Sequence, residues 1–331
     1  MSILPDSHAV FIGCILRAMY ISLLIQTLSI TVPVVLLVVL GVYLRHKQHI
    51  DDAFVATSSR LVFNVSLPVL MFLAIVTADM AVSQHLPLVW FSLAASLSAF
   101  VLVFVVSKIM GVAPYRHGAF VQGAFRSNLG IVGLALCLNA YPEEGAILGA
   151  LVLAVVTPVY NLLSVWVLAS GDRNISWGQQ LMTTARNPLI IAIALAGVVR
   201  SLGLELPQVL LQTGDILAGL TLPLALIGIG ASLTMSRALV ADSVVWSAVA
   251  LKLVALPALI IISAVYIGIT GAALGVIALM FASPTAAAAF VMAKSMNADS
   301  RLTADVIALS TLGSGVTVTT IIYVLNLSGL L

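Results

Sequence analysis

The sequence predicts an all-α polytopic membrane protein. It has ten transmembrane helices in two inverted five-helix repeats, with the fourth and ninth helices broken at mid-span. Three observations predict it. The 331 residues are 62% hydrophobic and only 8% charged, with a mean hydropathy of +1.20, far more apolar side chain than a soluble core can bury. Nearly charge-free stretches recur at about the 20 residues that a helix needs to cross hydrocarbon. Two of these stretches are interrupted, at Arg126-Ser127-Asn128-Leu129-Gly130 and at Ala282-Ser283-Pro284-Thr285-Ala286. Lipid offers the backbone no hydrogen-bond partner, so such breaks persist only where protein or a polar cavity satisfies them. In matching places of two halves, they point to the midplane substrate site of a secondary transporter.

Taken in order, the spans fall at residues 22–44, 56–78, 87–108, 117–140, 145–169, 187–203, 208–234, 243–267, 271–296 and 303–328. The uncharged run from Leu253 to Ala293 is too long for one helix, and Gly268, Gly271 and Gly275 supply the turn that divides it. Residues 1–21 form an N-terminal extension with three open readings: a signal peptide, sequence upstream of a native start at Met19, or a short interfacial helix. Residues 22–169 are the first repeat, 170–186 a cytoplasmic linker and 187–331 the second repeat. This length leaves no room for a soluble catalytic or nucleotide-binding domain.

Lys and Arg concentrate on the cytoplasmic side of a membrane. With these spans, Arg45, Lys47, Arg60, Lys108, Arg116, Arg173, Arg186, Arg237, Lys294 and Arg301 share one side, against Arg17 and Arg200 on the other. Both termini are therefore expected outside a cytoplasmic (inner) membrane, and a miscount by one span would scramble the separation. A repeat is visible in the prolines. Pro33 and Pro68 are 35 residues apart, as are Pro188 and Pro223, and Val65-Ser66-Leu67-Pro68 matches Leu220-Thr221-Leu222-Pro223. A unit with an odd number of crossings, repeated once, places its copies in opposite orientation.

The breaks carry the chemistry. Pro284 has no N–H and clashes with the preceding turn, so it interrupts span 9. Ser283 as N-cap and Pro284 at the first helical position would start a second half-helix, its partly positive N-terminus in the midplane. In span 4, Ser127 and Asn128 are the corresponding caps, and Gly130 lets a ligand approach the backbone. Two such N-termini favour an anion, while the carbonyls that end the first half-helices suit a cation or a proton-bearing water. The candidate substrate-binding residues are thus Arg126, Ser127, Asn128, Gly130, Ser283, Pro284 and Thr285. The bland alternative is a pair of kinks that only shape the bundle.

Arg126 admits two readings: a forked partner for a substrate carboxylate, or a charge that neutralises the C-terminal end of the first half-helix or snorkels to the cytoplasm. Lys252 reads as a snorkelling or paired residue. Asn64, Asn161, Asp215, Ser310 and Ser314 are candidates for an ion or polar site, although Ser and Thr (here also Thr157, Thr311 and Thr317) equally serve helix packing. Gly145/Gly149 and Gly271/Gly275 read as close helix contacts. The chain holds no His-Glu-x-x-His, no Lys-bearing phosphate loop and no Gly-x-Ser-x-Gly. His8, His46, His49, His85 and His117 fall in terminal or loop regions, and Cys14 and Cys137 read as buried small hydrophobes. Neither enzyme activity, a cofactor, a metal site nor a nucleic-acid partner is expected.

Leu61-Val62-Phe63-Asn64-Val65-Ser66-Leu67-Pro68, the Arg126–Gly130 break, the Ser283–Phe290 segment with Ala293-Lys294, and Leu309-Ser310-Thr311 together resemble the auxin efflux carrier (AEC) family, over about residues 25–328. Its bacterial members include permeases for malate, malonate and related organic acids. The resemblance implies a fold similar to the bile-acid/sodium symporters. Spans 1, 2, 6 and 7 would form a scaffold, and spans 3–5 and 8–10 a mobile core with the site at the crossing of spans 4 and 9. It also implies a possible homodimer through the scaffold. The family often has Pro shortly after the span 4 glycines, where this chain has Gly133-Leu134-Ala135, a departure that softens the first break. The expectation is a secondary active transporter of a small organic anion in the lipid bilayer, with H+ or Na+ as possible coupling ion. A channel or a non-transporting ligand sensor on the same architecture is the alternative.

Overall fold

The structure, a computed structural model, describes residues 7–77, 85–168, 186, 188–232 and 242–331, without the side chains of residues 7–24, 26, 189, 291 and 295. Cys14, Arg17, Arg173 and Arg237 fall outside the described side chains, as does the expected linker apart from Arg186. Among the described residues all regular secondary structure is helical, save one backbone bridge treated below.

The first half of the chain contains α1 (Ser7–His46), α2 (Asp52–Leu61), α3 (Leu67–Val76), α4 (Leu86–Ile109), α5 (Pro114–Phe125), α6 (Leu134–Ala140) and α7 (Gly145–Leu168). The second contains α8 (Pro188–Ser201), α9 (Gln208–Gly219), α10 (Thr221–Ser232), α11 (Ser243–Ala250), α12 (Leu256–Tyr266), α13 (Gly271–Ala282), α14 (Ala288–Ser295) and α15 (Ser300–Leu327). Seven helical stretches among the described residues are long and apolar enough to cross a membrane. They cover the first, second, third, fifth, seventh, eighth and tenth expected spans. Within the other three expected stretches lie shorter apolar helices, Leu129–Ala140, Ile190–Ser201 and Gly271–Ala282. α1 is continuous from Ser7, so residues 7–21 prolong the helix of the first span.

Several joints follow from proline chemistry. Pro68 and Pro257 each sit in the first turn of a helix, and a widened π-type turn precedes each, over Val62–Ser66 and Leu251–Ala255. An extra residue in the turn accommodates a ring that cannot donate and crowds the preceding carbonyl. Pro33 lies inside α1 and cannot pair with the Ser29 carbonyl. The Asn139 side chain of α6 donates to Ser29 O at 2.9 Å and Ile30 O at 2.7 Å.

α1 packs on α10, α15 and α6; α3 packs on α8 and α9; α2 packs on α10. The α1–α10 contact is backbone-close: a Cβ on Gly230 would lie 1.9 Å from the Val38 carbonyl oxygen, and one on Gly41 2.2 Å from that of Ile227. Around the breaks, α5 packs on α4, α7 and α15, and α13 on α12, α6 and α15. Gly145, Gly149 and Gly275 are close contacts as expected, Gly275 against Tyr141. Gly271 is not: it has φ +60° with open space beside it, and its N–H donates to Leu330 O at 2.8 Å. The histidine placement also needs correction. His46 ends α1, and His117 is buried in the first turn of α5, its Nδ1 2.8 Å from Ser107 Oγ.

Candidate functional site

α5 ends at Phe125, and Arg126 to Asn128 turn out of the helix before a π-type turn, Leu129–Gly133, leads into α6. α13 ends at Ala282, and Ser283 is extended (φ −60°, ψ 150°). The two breaks pair as a short antiparallel bridge between Ser127 and Thr285. Asn128 N donates to Pro284 O at 2.7 Å, and Ala286 N to Arg126 O at 3.1 Å. Each interruption therefore satisfies the backbone of the other, which answers the demand that lipid makes of unpaired amides.

The helix restart differs from the expected one. Ser283 and Pro284 do not cap a helix; α14 begins at Ala288, with Ala287 at the N-cap position and no side-chain cap. Ser283 instead closes the preceding helix, its hydroxyl donating to Met280 O at 2.7 Å. Neither Ser127 nor Asn128 caps the turn that follows. Ser127 Oγ donates to Phe281 O at 3.1 Å, and Thr285 Oγ1 to Gly123 O at 2.7 Å. Interhelix pairing has taken the residues that local capping rules assign to helix starts, and it leaves both starts without a cap.

A cavity of about 70 Å³ opens beside the bridge. Its walls are Arg126 to Ile131 from the first break, Ala286 to Ala288 at the start of α14, Leu153, Thr157 and Tyr160 from α7, and Phe63 from the turn before α3. Of the predicted site residues, Arg126, Ser127, Asn128 and Gly130 line it. Ser283, Pro284 and Thr285 lie on the far strand of the bridge and do not. Asn128 carries the one cavity-lining carboxamide, and no described protein group hydrogen-bonds it.

Arg126 is 6% exposed. Its guanidinium donates to Asn161 Oδ1 at 2.8 Å, Ser164 Oγ at 3.0 Å, Met292 Sδ at 3.1 Å and, at 3.5 Å, Tyr160 O. It neither snorkels nor bonds the end of α5. That helix-end role falls on the other half. Lys252, 1% exposed, donates to Phe281 O at 2.9 Å, in the last turn of α13, and to the Ser127 hydroxyl. Lys252 is therefore neither snorkelling nor ion-paired. Neither cation has a carboxylate partner among the described residues.

The remaining candidates divide. Asn161 holds Arg126, and Ser310 Oγ accepts from Thr285 N at 3.1 Å. Ser314 bonds Thr311 O at 2.8 Å, within its own helix. Asn64 is exposed and donates to Arg60 O at 2.9 Å, and Asp215 is exposed on α9; neither lines the cavity. Phe63, Ile131, Leu153, Tyr160, Ala287 and Ala288 are the lining residues that sequence reasoning missed. Apolar and small residues in apolar spans give no local signal, although Phe63 adjoins Asn64 within the quoted span 2 motif.

A profile of the membrane transport protein family matches residues 27–171 and 173–322. The chain belongs to this family, the auxin efflux carriers. A search of curated proteins finds no match. Membership makes this carrier a multi-pass membrane transporter, and its matched region takes in both breaks, the cavity and the two buried cations.

Proposed function

We propose that the protein is a secondary active transporter that moves a small organic anion, a mono- or dicarboxylate, by alternating access. The site would lie at the crossing of the two broken helices. One observation carries the reading: Arg126 and Lys252 are both buried at the crossing with only neutral acceptors among the described residues. Each break supplies one helix end and one helix start, whose half-charges of about +0.5 and −0.5 offset one another. The two side-chain cations are left over. An unpaired ion inside a membrane protein costs several kcal/mol even after relaxation, and an anion in the adjoining cavity offsets it. Arg126 supplies forked donors, and Asn128 an unengaged amide. The uncapped starts add the N–H groups of Leu129 and Ala288, those of Ala289 and Phe290 being bonded to Ala286 O and Ala287 O.

The proposed architecture has ten crossings in two inverted repeats, both termini outside the inner membrane. Helices α1 to α3 and α8 to α10 would form the scaffold, α4 to α7 and α11 to α15 the core. The packing preferences above and the position of Phe63, a residue of the scaffold group that walls a cavity of the core group, support that division. Ligand binding tests the substrate class. Malate, malonate or lactate is expected to raise the melting temperature of the purified carrier, by roughly 2.7 kcal/mol of added stability at a hundredfold excess over Kd. Neutral analogues of the same size are expected to leave it unchanged. Stabilisation by neutral or cationic solutes alone would refute the anion reading.

A further inference from the structure

We infer that Asn139 and Thr319 of the core, docked on the Ser29–Thr31 turn of α1, form an outer latch. It holds the site toward the cytoplasm and releases each time the site turns outward. This rests on the reading of the crossing as the transported site and of the basic end as cytoplasmic.

The docking turn owes an acceptor to a proline. Pro33 has no N–H, so the Ser29 carbonyl four residues earlier lacks its donor within α1. Asn139, in the last turn of α6, supplies one. Both N–H groups of its carboxamide are used, on Ser29 O at 2.9 Å and Ile30 O at 2.7 Å. Next to them, Thr31 Oγ1 lies 2.8 Å from Thr319 Oγ1 on α15. The Thr319 proton is committed to Gly315 O at 2.6 Å, so Thr31 is the donor. One turn further along, a Cβ on Gly315 would lie 3.2 Å from Val35 Cγ2, so α1 and α15 are in direct contact there. A single turn of a scaffold helix thus holds two core helices.

Latch and cavity lie on opposite sides of the bridge. Ser29 is sixteen residues before Arg45 in α1, and Thr319 eighteen after Arg301 in α15, about 24 and 27 Å along the helices from the basic end. The cavity walls lie nearer that end. Phe63 follows Arg60 by three residues, Tyr160 is in the second half of α7, and Ala286 to Ala288 fall between the break and Lys294. The latch is also cheap to open. Asn139 and Ser29 are exposed, so water takes over the amide and the carbonyl when they part. Thr31, released from Thr319, has Thr27 O within 3.4 Å. Opening leaves no buried polar group of the latch without a partner.

The experiment follows a membrane-impermeant maleimide as it labels Ala288→Cys in the cavity wall, in a Cys14→Ala, Cys137→Ala background. Labelling is timed from outside in intact cells and from the cytoplasmic side in inverted vesicles. In this parent it is expected to be faster from the cytoplasmic side. Asn139→Ala, which loses two bonds, is expected to move the ratio roughly tenfold toward the outside, and Thr319→Val roughly threefold. Thr319→Ser keeps the hydroxyl and is expected to match the parent. Pro33→Ala gives Ser29 O a helix donor and is expected to act in the same direction as Asn139→Ala. A contact that only held the fold would change labelling from both faces alike, and that result overturns the inference. So does a parent labelled faster from outside, or from neither face. Should one variant not fold, the other decides. A shifted ratio in protein that takes up no malate, malonate or lactate would sink the proposed substrate class and leave the latch standing. An unchanged ratio with uptake intact sinks the latch alone.

Discussion

A guanidinium brought out of water keeps its charge, and Arg126 meets that cost with dipoles alone: an amide, a hydroxyl, a carbonyl and a thioether. Under the proposed function, such a group is poised for an anion rather than neutralised. Arg126→Gln is expected to lower uptake at least roughly tenfold, the equivalent of about 1.4 kcal/mol, in protein that still folds. Arg126→Lys is expected to rescue only part of this, because an ammonium lacks the planar fork. Asn128 and Thr285 then separate binding from architecture. Among the described residues the Asn128 amide has no protein partner, so Asn128→Ala is expected to abolish uptake and leave the melting temperature near wild type. Thr285→Val removes the bond to Gly123 O and is expected to destabilise by about 1 kcal/mol, read as a lower melting temperature. The opposite pattern would place the functional chemistry on the other strand of the bridge.

At the scale of elements, the joints show which local signals survive tertiary contact. Pro33 was visible in the sequence; its partner Asn139, on a different helix more than a hundred residues away, was not, because nothing local marks it. Asn139→Ala is expected to cost about 1–2 kcal/mol, and markedly less in a Pro33→Ala background, where α1 can pair the Ser29 carbonyl itself. Equal costs in both backgrounds, measured by thermal melts, would break the link between the proline and the amide. Ser283-Pro284 shows the reverse: a strong local start signal overruled by backbone pairing with the opposite break, so that α14 begins four residues after Pro284.

The basic end of the bundle is tied by Arg116, whose Nη1 lies 2.6 Å from Asp242 Oδ2 and Nε 3.4 Å from Asp299 Oδ2. Asp242 and Asp299 are the N-caps of α11 and α15. The bond to Arg116 holds the Asp242 carboxyl below its ordinary pKa and Arg116 above its own. A depressed carboxyl stabilises the fold above the ordinary range and loses that contribution as pH falls through it. Asp242→Asn is therefore expected to cost no more than about 1 kcal/mol at pH 7. The gap from wild type should narrow below about pH 4, as followed by melting temperature against pH.

For the whole molecule, composition and charge-free run lengths made the helical membrane class legible, because lipid leaves the chain little freedom. The two breaks were legible for the same reason, as were Arg126 and Asn128 within the cavity wall. What was hidden depends on three-dimensional juxtaposition. Lys252 reads from sequence as a snorkelling or paired residue, and only its turn sets it against Phe281 O and Ser127. Phe63 and Tyr160 line the cavity without any polar pattern to announce them, and Asn64 drew attention to the right turn on the wrong face. The central claim is that the crossing binds an anion and carries it across the membrane. Uptake of labelled malate, malonate and lactate into proteoliposomes, under imposed proton, sodium and potential gradients, tests it most directly. The account predicts saturable, gradient-driven uptake of at least one of them, lost in Asn128→Ala. Uptake of none by folded protein, or non-saturable flux that survives Asn128→Ala, would contradict it.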